Sequence, residues 1–515
     1  MGKGVEMNEA MGWAYLRKSS FSFVIFLVLY SWTFSIPKLH AEEIVLKEVE
    51  ADLLNLSAGQ ELIVRPLTIY DAMARAIKYN RDYRLKKMQS ALAIEKRDKS
   101  YLDFLPELTA SAGYTSRSNE SASSSESYRT GLESLEPSIS EDKDRSAGDI
   151  SLTWSALDFG LAYARSQQTA NRYFISREAE RKTVQNIISD VRREWWNALS
   201  AQRLLAKVDP FVKRVEEALI DSREIENQRL DSPLKALTYQ RSLVDMLRTL
   251  ERLRARLNRS KHRLTSLMGM SYNKKYILED SEDRPDVSAL AWDVAVMEEV
   301  ALFSRPELMQ TRYQDRITRE DTRIAVLGLI PDINLNAGWN YDSNSYLVNS
   351  SWFDFGAKIS WNMLELFKAP STLRTAEAEE AVAKERRMAV AMTVLMQVHL
   401  AKANYLQSER QFKVEDSALS VQNRILKQII SAKTTQTKGK QTLIREQLNQ
   451  LLAEIRYDNA YAELQNSFGR ILVSLGIGSI PDNIESMTVA ELSRSLAQNM
   501  ENWDASSLQG AQSLK

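Results

Sequence analysis

Leu105-Pro106-Glu107-Leu108-Thr109-Ala110-Ser111-Ala112-Gly113-Tyr114 and Ile330-Pro331-Asp332-Ile333-Asn334-Leu335-Asn336-Ala337-Gly338-Trp339 are one pattern written twice, 225 residues apart. Each opens on an apolar residue, a proline and an acid, then alternates apolar with small or polar side chains. The same offset carries Ala76 onto Ala301 and Asp82 onto Glu307. Further along, Leu152-Thr153-Trp154 is answered by Ile359-Ser360-Trp361 at an offset of 207, which also takes Asn197-Ala198-Leu199 onto Asn404-Tyr405-Leu406 and Gly269 onto Gly476. The 18-residue difference is absorbed between Tyr114 and Gly148, where Ser116 to Ser146 is rich in serine and acid and reads as a flexible loop. Chance likeness between helical segments does not preserve two constant offsets with a matched proline and glycine.

The chain is therefore read as two copies of helix, strand, loop, strand and long helix pair. The first copy is expected over residues 67–288, with strands 107–118 and 147–157 and long helices over 160–268. The second is expected over 289–478, with strands 332–342 and 351–363 and long helices over 370–476. In the second copy Ile333, Leu335, Ala337, Trp339 and Tyr341 fall on one strand face and Asp332, Asn334, Asn336, Gly338 and Asn340 on the other. Phe353, Phe355, Ala357, Ile359, Trp361 and Met363 repeat this against Asp354, Gly356, Lys358, Ser360 and Asn362. In the first copy Leu108, Ala110, Ala112 and Tyr114, then Ile150, Leu152, Trp154 and Ala156, do the same. Strands of about ten residues that alternate in this way and carry aromatics near their ends fit a membrane β-barrel. A half-buried soluble sheet alternates identically. Large aromatics with no other apolar surface to cover them favour lipid, and place Tyr114, Trp154, Trp339, Tyr341, Phe353, Phe355 and Trp361 on the membrane side. Four strands cannot close a barrel, so the chain must pool strands with copies of itself.

Gly160 to about Asp221, Pro233 to about Met268 and Pro370 to about Gly476 read as helix with few breakers. Met246, Leu250, Leu253, Leu257, Leu264 and Leu267 step by three and four with one position skipped, and Ile188, Val191, Trp195 and Ala198 step by three and four, which marks helix-packing seams. Sixty helical residues extend roughly 90 Å, a rod rather than a core helix. The rods are expected to reverse near Glu226 to Asp231, ahead of the N-cap pair Ser232-Pro233, and near Lys433 to Lys440. Asp209-Pro210 is a candidate break part-way along the first rod.

Composition limits function further. Lys+Arg and Asp+Glu are 68 each, so no global field points to nucleic acid. There is no cysteine and only three histidines, His40, His262 and His399, so cysteine or histidine catalysis is nearly excluded. Glu194, Glu251 and Glu446 are expected on solvated helix faces, and no phosphate loop, metal-spaced His set or Ser/His/Asp set is present, so no enzyme, cofactor or metal is predicted. Arg17 and Lys18 before the apolar run Phe21 to Ile36, followed by Leu39-His40-Ala41, predict a secretory signal peptide over residues 1–41. With no Cys after that run, no lipid anchor on the mature end is expected. An N-terminal linker over 42–66 and a polar C-terminal tail over 479–515 carry no pattern that assigns a role.

These features together resemble the TolC family of outer-membrane efflux and secretion channels. The resemblance rests on Leu67-Thr68-Ile69 with Ala72 and Ala76, on Ser304-Arg305-Pro306-Glu307-Leu308, and on the Leu105-Pro106 and Ile330-Pro331 junctions. Leu157-Asp158-Phe159-Gly160, Leu267-Met268-Gly269 and Leu475-Gly476 complete it. It implies a mainly helical fold, with long coiled-coil-like hairpins forming an α-barrel and four strands per chain entering a 12-stranded barrel shared by a homotrimer. It also implies an outer-membrane location reaching into the periplasm, a passive duct, and a periplasmic adaptor with an inner-membrane transporter as partners. Leu364-Glu365-Leu366-Phe367 lacks the glycine the family carries after that strand, and the reversals lack the small-Gly-Leu pattern of family tips. Family acids beyond the second reversal are replaced by lysines. Arg229, Asp231, Lys433, Lys438 and Lys440 are thus the candidate gate or adaptor contact. The rival reading is a periplasmic coiled-coil adaptor or envelope scaffold that never enters the membrane.

Overall fold

The computed structural model describes residues 47, 49, 51–52, 59–134, 136–228, 232–272, 274–280, 292–431, 437–477, 484 and 486–501. Residues Met1–Leu62 form one unit and Ile63–Lys515 another. Of the first unit, residues 47, 49, 51 and 52 are helical; the expected signal peptide lies outside the described residues.

The second unit begins with α1 (Ile69–Tyr79) and α2 (Arg81–Leu102). Thr68 and Asp71 start α1 with reciprocal side-chain-to-backbone bonds of 3.0 and 3.2 Å, a capping box that satisfies two otherwise orphan N–H groups. Asn80 ends α1 in an extended conformation and caps α2 through Asp82 N at 2.8 Å. Strand β1 (Glu107–Ser116) follows, then the short strands β2 (Ala122–Ser123) and β3 (Ser138–Ile139), then β4 (Asp144–Ser155), α3 (Ala156–Asn227) and α4 (Pro233–Leu267). The second series is α5 (Val294–Ser304), α6 (Pro306–Leu327), β5 (Asp332–Asp342), β6 (Ser351–Ser360), α7 (Glu365–Ser431) and α8 (Thr437–Ser474), and α9 (Val489–Glu501) ends it. At the 225 offset α1 and α2 have the same bounds as α5 and α6, and at the 207 offset α4 and α8 end on matching residues.

Several boundaries depart from expectation. Strand β4 starts at Asp144 rather than residue 147, because Arg145 and Asp144 pair with Thr115 and Ser116 although their polar side chains break the apolar alternation. Strands β1 and β6 stop at Ser116 and Ser360, short of 118 and 363. Helices α3 and α7 start at Ala156 and Glu365, before 160 and 370, and Pro370 sits inside α7. The expected break at Asp209-Pro210 is absent. Pro210 lies inside the 72-residue α3, where Val208, Phe211 and Val212 are buried while the proline faces out. Packing of the flanking apolar residues outweighs the lost hydrogen bond, which falls where water replaces it. Part of the expected polar tail is instead α9, whose Val489, Leu492 and Leu496 join the core around α1.

The sheet order is β1-β4-β5-β6, all antiparallel. Beyond it α3 runs about 110 Å at 1.5 Å per residue. Near the sheet α3 lies between α2 and α6, with α7 beside α6; farther along it lies between α4 and α8, with α7 beside α8. The seam residues Met246, Leu250, Leu253, Leu257 and Leu264 are buried, as are Val191, Trp195 and Ala198. Glu194, expected on a solvated face, is also buried, held by Arg193 at 3.3 Å and Arg263 at 3.8 Å. Two glycines lock the rods to the short helices. Gly269 (φ +64°) and Gly476 (φ +72°) lie so close to Tyr79 and Ser304 that a Cβ would be 2.7 and 2.6 Å from the carbonyl oxygens of those residues. Only glycine tolerates both the left-handed φ and the approach.

Candidate channel wall and subunit edges

The four-stranded sheet is inside out. Its register places Tyr114, Ile150, Leu152, Trp154, Ile333, Leu335, Trp339, Tyr341, Phe353, Phe355 and Ile359 on one face. All of these but Trp154 are exposed, Phe355 at 80%. The opposite face carries Asp149, Ser151, Asp332, Asn334, Asn340 and Asp354, and these are only partly exposed. Water-soluble sheets bury the apolar face; here the polar one is the more enclosed. Polar side chains satisfy one another along and across the strands. Ser155 Oγ donates to Asp332 Oδ1 at 2.7 Å and Asn334 Nδ2 to Asp332 Oδ2 at 2.6 Å, while Ser111 donates to Asp149 and Asn340 to Asp354. Gly338 and Gly356 lie opposite Asp354 and Asn336, and a Cβ on Gly338 would meet Asp354 Oδ1 at 2.8 Å, so these glycines make room for the neighbouring polar side chains.

All seven aromatics expected on the lipid side share the apolar face or its continuation. Tyr114, Tyr341, Trp339 and Phe353 cluster toward the loop end, and Trp154 and Trp361 toward the helices, where Trp361 Nε1 donates to Leu329 O at 3.1 Å. Leu152, Ala337 and Phe355 fill the band between. From the level of Tyr341 to that of Trp361 is about 34 Å along a strand. At a barrel tilt near 45° this gives an apolar band about 25 Å tall between aromatic girdles. Trp352 is the exception that alternation did not single out: paired with Asn340, it lies on the polar face.

Both sides of the wedge are open. Strands β1 and β6 are the outer strands of the sheet. On the β1 side α2 carries a stripe of exposed Leu85, Met88 and Leu92, and α4 exposes Leu234 and Leu237; on the β6 side α7 exposes Val382, Met392, Met396, Leu400 and Val414. An unpaired strand edge and an apolar helix face on each side suit head-to-tail contact between copies, and an even strand number keeps the pairing antiparallel on closure.

Between the two repeats Arg192 of α3 is buried, donates Nη2 to Gln465 Oε1 of α8 at 3.0 Å and lies 5.4 Å from the ring centre of Phe468. Burial pushes its guanidinium below the ordinary value. Gly469 leaves the space it needs, since a Cβ there would be 3.1 Å from Arg192 Cδ. The sequence reading missed this junction, for which the only signal was an arginine interrupting a seam at Val191-Arg192. At the far end of the sheet the two loops are joined: Ser345 Oγ donates to Asp142 Oδ1 at 2.8 Å and Asn344 Nδ2 to Ser140 O at 3.0 Å. Of the expected tip residues, Arg229, Asp231 and Lys433 lie outside the described residues, as do the side chains of Lys438 and Lys440, whose backbone is in the first turns of α8.

No family model matches the chain, and no curated protein matches it. Solved structures do. The outer-membrane channel OprN is 17% identical, with a TM-score of 0.61, covering 80% of this chain and 90% of its own. The Campylobacter jejuni CmeC outer membrane channel is 13% identical, with a TM-score of 0.61 and coverage of 85% and 90%. The open state of the Neisseria gonorrhoeae MtrE outer membrane channel is 15% identical, with a TM-score of 0.59 and coverage of 80% and 89%. The fold is that of the TolC-like outer-membrane channels.

Proposed function

We propose that this chain is one subunit of an outer-membrane export channel. Three copies contribute four strands each to a 12-stranded barrel, with the aromatics Tyr114, Trp154, Trp339, Tyr341, Phe353, Phe355 and Trp361 against lipid and the acid- and amide-rich face lining the lumen. The rods α3, α4, α7 and α8 continue the wall into the periplasm, with repeats over 67–288 and 289–478 forming alternate staves. The channel is a passive duct and not an enzyme, and a periplasmic adaptor coupled to an inner-membrane transporter drives export. The reversals, with Arg229, Asp231, Lys433, Lys438 and Lys440, form the adaptor contact or gate.

The observation that carries this reading is the inverted sheet with unlike open edges on both sides, which is stable only in lipid and only when closed by copies of itself. Fractionation followed by native mass measurement of the detergent-purified protein tests it. A trimer recovered only from outer membrane, and conducting in planar bilayers, is expected. A protein that stays in water without detergent defeats it and makes the periplasmic scaffold the better account.

A further inference from the structure

The polar face of the sheet is charged, hydroxyl-bearing, amide-bearing or small at every position of β1, β4, β5 and β6 except Trp352, which is 43% exposed. A single exposed tryptophan means little by itself. What marks this one is the company of two carboxylates. Asn340 lies directly opposite it on β5 and donates Nδ2 to Asp354, two residues along β6 on the same face. Gly338, opposite Asp354, has no side chain, and a Cβ there would meet Asp354 Oδ1 at 2.8 Å, so this carboxyl leans across β5. Asp149 of β4 lies on the far side of Asn340, about 10 Å from Trp352 at two strand spacings.

Neither carboxylate has a cation among the described residues. Asp149 accepts from Ser111 and Asp354 from Asn340, both neutral groups. Lys358, the lysine of this face, is four residues beyond Asp354 along β6, about 13 Å away. Arg145, toward the loops, is engaged by Asp342 at 3.5 Å and Glu141 at 3.7 Å.

We propose that Trp352, Asp354 and Asp149 form a binding site for a bulky organic cation of the quaternary ammonium class. An indole ring attracts a weakly hydrated cation through its face, and the two carboxylates supply the missing counter-charge. A small inorganic cation suits the site less well, since it requires several oxygen ligands at short range and the indole offers none. As a station on the path of a cargo the site rests on the channel reading, in which it faces the lumen near the loop end, once per copy. As a binding site it does not, because all its groups belong to one chain.

The chain has no cysteine, so Ser350→Cys, exposed and two residues from Trp352, gives one reporter. Its labelling by N-ethylmaleimide in the detergent-purified full chain should be slowed by tetrabutylammonium and not by sodium chloride at the same ionic strength. Adding Trp352→Ala should raise the half-protecting concentration about ten-fold, with Trp352→Phe in between. Asp354→Asn should raise it about three-fold, whereas Thr153→Ala, two rows nearer the helices on the same face, should leave it unchanged. Labelling that tetrabutylammonium does not slow would overturn the proposal. So would an unchanged half-protecting concentration in both Trp352 variants, or equal protection by sucrose, a neutral solute. None of these readouts depends on conduction or on the membrane fraction, so failure here is distinct from failure of the channel reading.

Discussion

Placing one arginine on each face of the sheet tests the wall directly. Phe355 lies mid-strand in β6, opposite Ala337, on the apolar face. In the proposed channel Phe355→Arg replaces a ring facing hydrocarbon with a charge, costing about 2–4 kcal/mol for the cation near the bilayer midplane. The lost apolar contact adds roughly 1.5–3 kcal/mol. The expected sum of about 4–7 kcal/mol per subunit lowers the folding constant by on the order of 10³ or more. Ser151 lies on the other face, between Thr109 and Gly338, which in the proposed channel lines the water-filled lumen. Ser151→Arg should cost about 0.5 kcal/mol or less. Refolding of the urea-denatured chains into phosphatidylcholine vesicles, read as trypsin-protected protein, measures both. Loss of insertion for Phe355→Arg with near-normal insertion for Ser151→Arg is expected. The reverse pattern would mean that the faces are inverted, and equal tolerance would mean that the sheet does not contact lipid.

The glycine locks predict that Gly269→Ala and Gly476→Ala each cost about 2 kcal/mol or more, from the left-handed conformation and the carbonyl clash together. Gly113→Ala, with nothing within 4 Å of its added Cβ, should leave the thermal midpoint of the detergent-solubilised protein nearly unmoved. At the α3–α8 junction, Arg192→Met should be neutral or slightly stabilising, because it removes a buried cation with no carboxylate partner among the described residues. Gln465→Leu strips that cation of its amide and should cost about 2–3 kcal/mol by urea titration. Gln422 and Asn449, with Arg445, hold the Glu446 carboxyl below its ordinary value. This contribution to the α7–α8 hairpin is therefore complete at neutral pH. It fades as pH falls below the unfolded value of about 4.3 and through the lowered folded one. Glu446→Gln should flatten the acid side of a thermal-midpoint profile between about pH 3 and 7; an unchanged profile would contradict the assignment.

What could be read from the chain follows from which forces act locally. Alternation along β5 and β6 records the two unlike faces of the sheet, and the seams of α4 and α3 are direct imprints of burial, so the duplicated design and the sheet faces were legible in the sequence. The uninterrupted α3 was not, because the proline penalty at Pro210 is local while the packing of Phe211 and Val212 that overrides it comes from other helices. The start of β4 at Asp144 was hidden for a similar reason, since backbone pairing with Ser116 extends the strand after the apolar pattern has ended. Trp352 and Arg192 escaped notice because each departs from the character of its own face, and only the register and the neighbouring helix show where it lies. The cover of α1 by α9 was equally hidden, resting on a contact between residues about four hundred positions apart, such as Lys78 and Met487.

The unlike edges of the wedge have a genetic consequence. In the proposed three-copy ring, a copy damaged only along α7 and β6 would keep a sound α2 and β1 edge, so it would still dock onto a growing assembly and then offer its neighbour nothing to bind. The fault is thereby passed to every intact copy it joins, and the ring stays open. Chains with one spoiled edge should suppress their healthy siblings when the two are made together, whereas chains spoiled on both edges should be harmless bystanders.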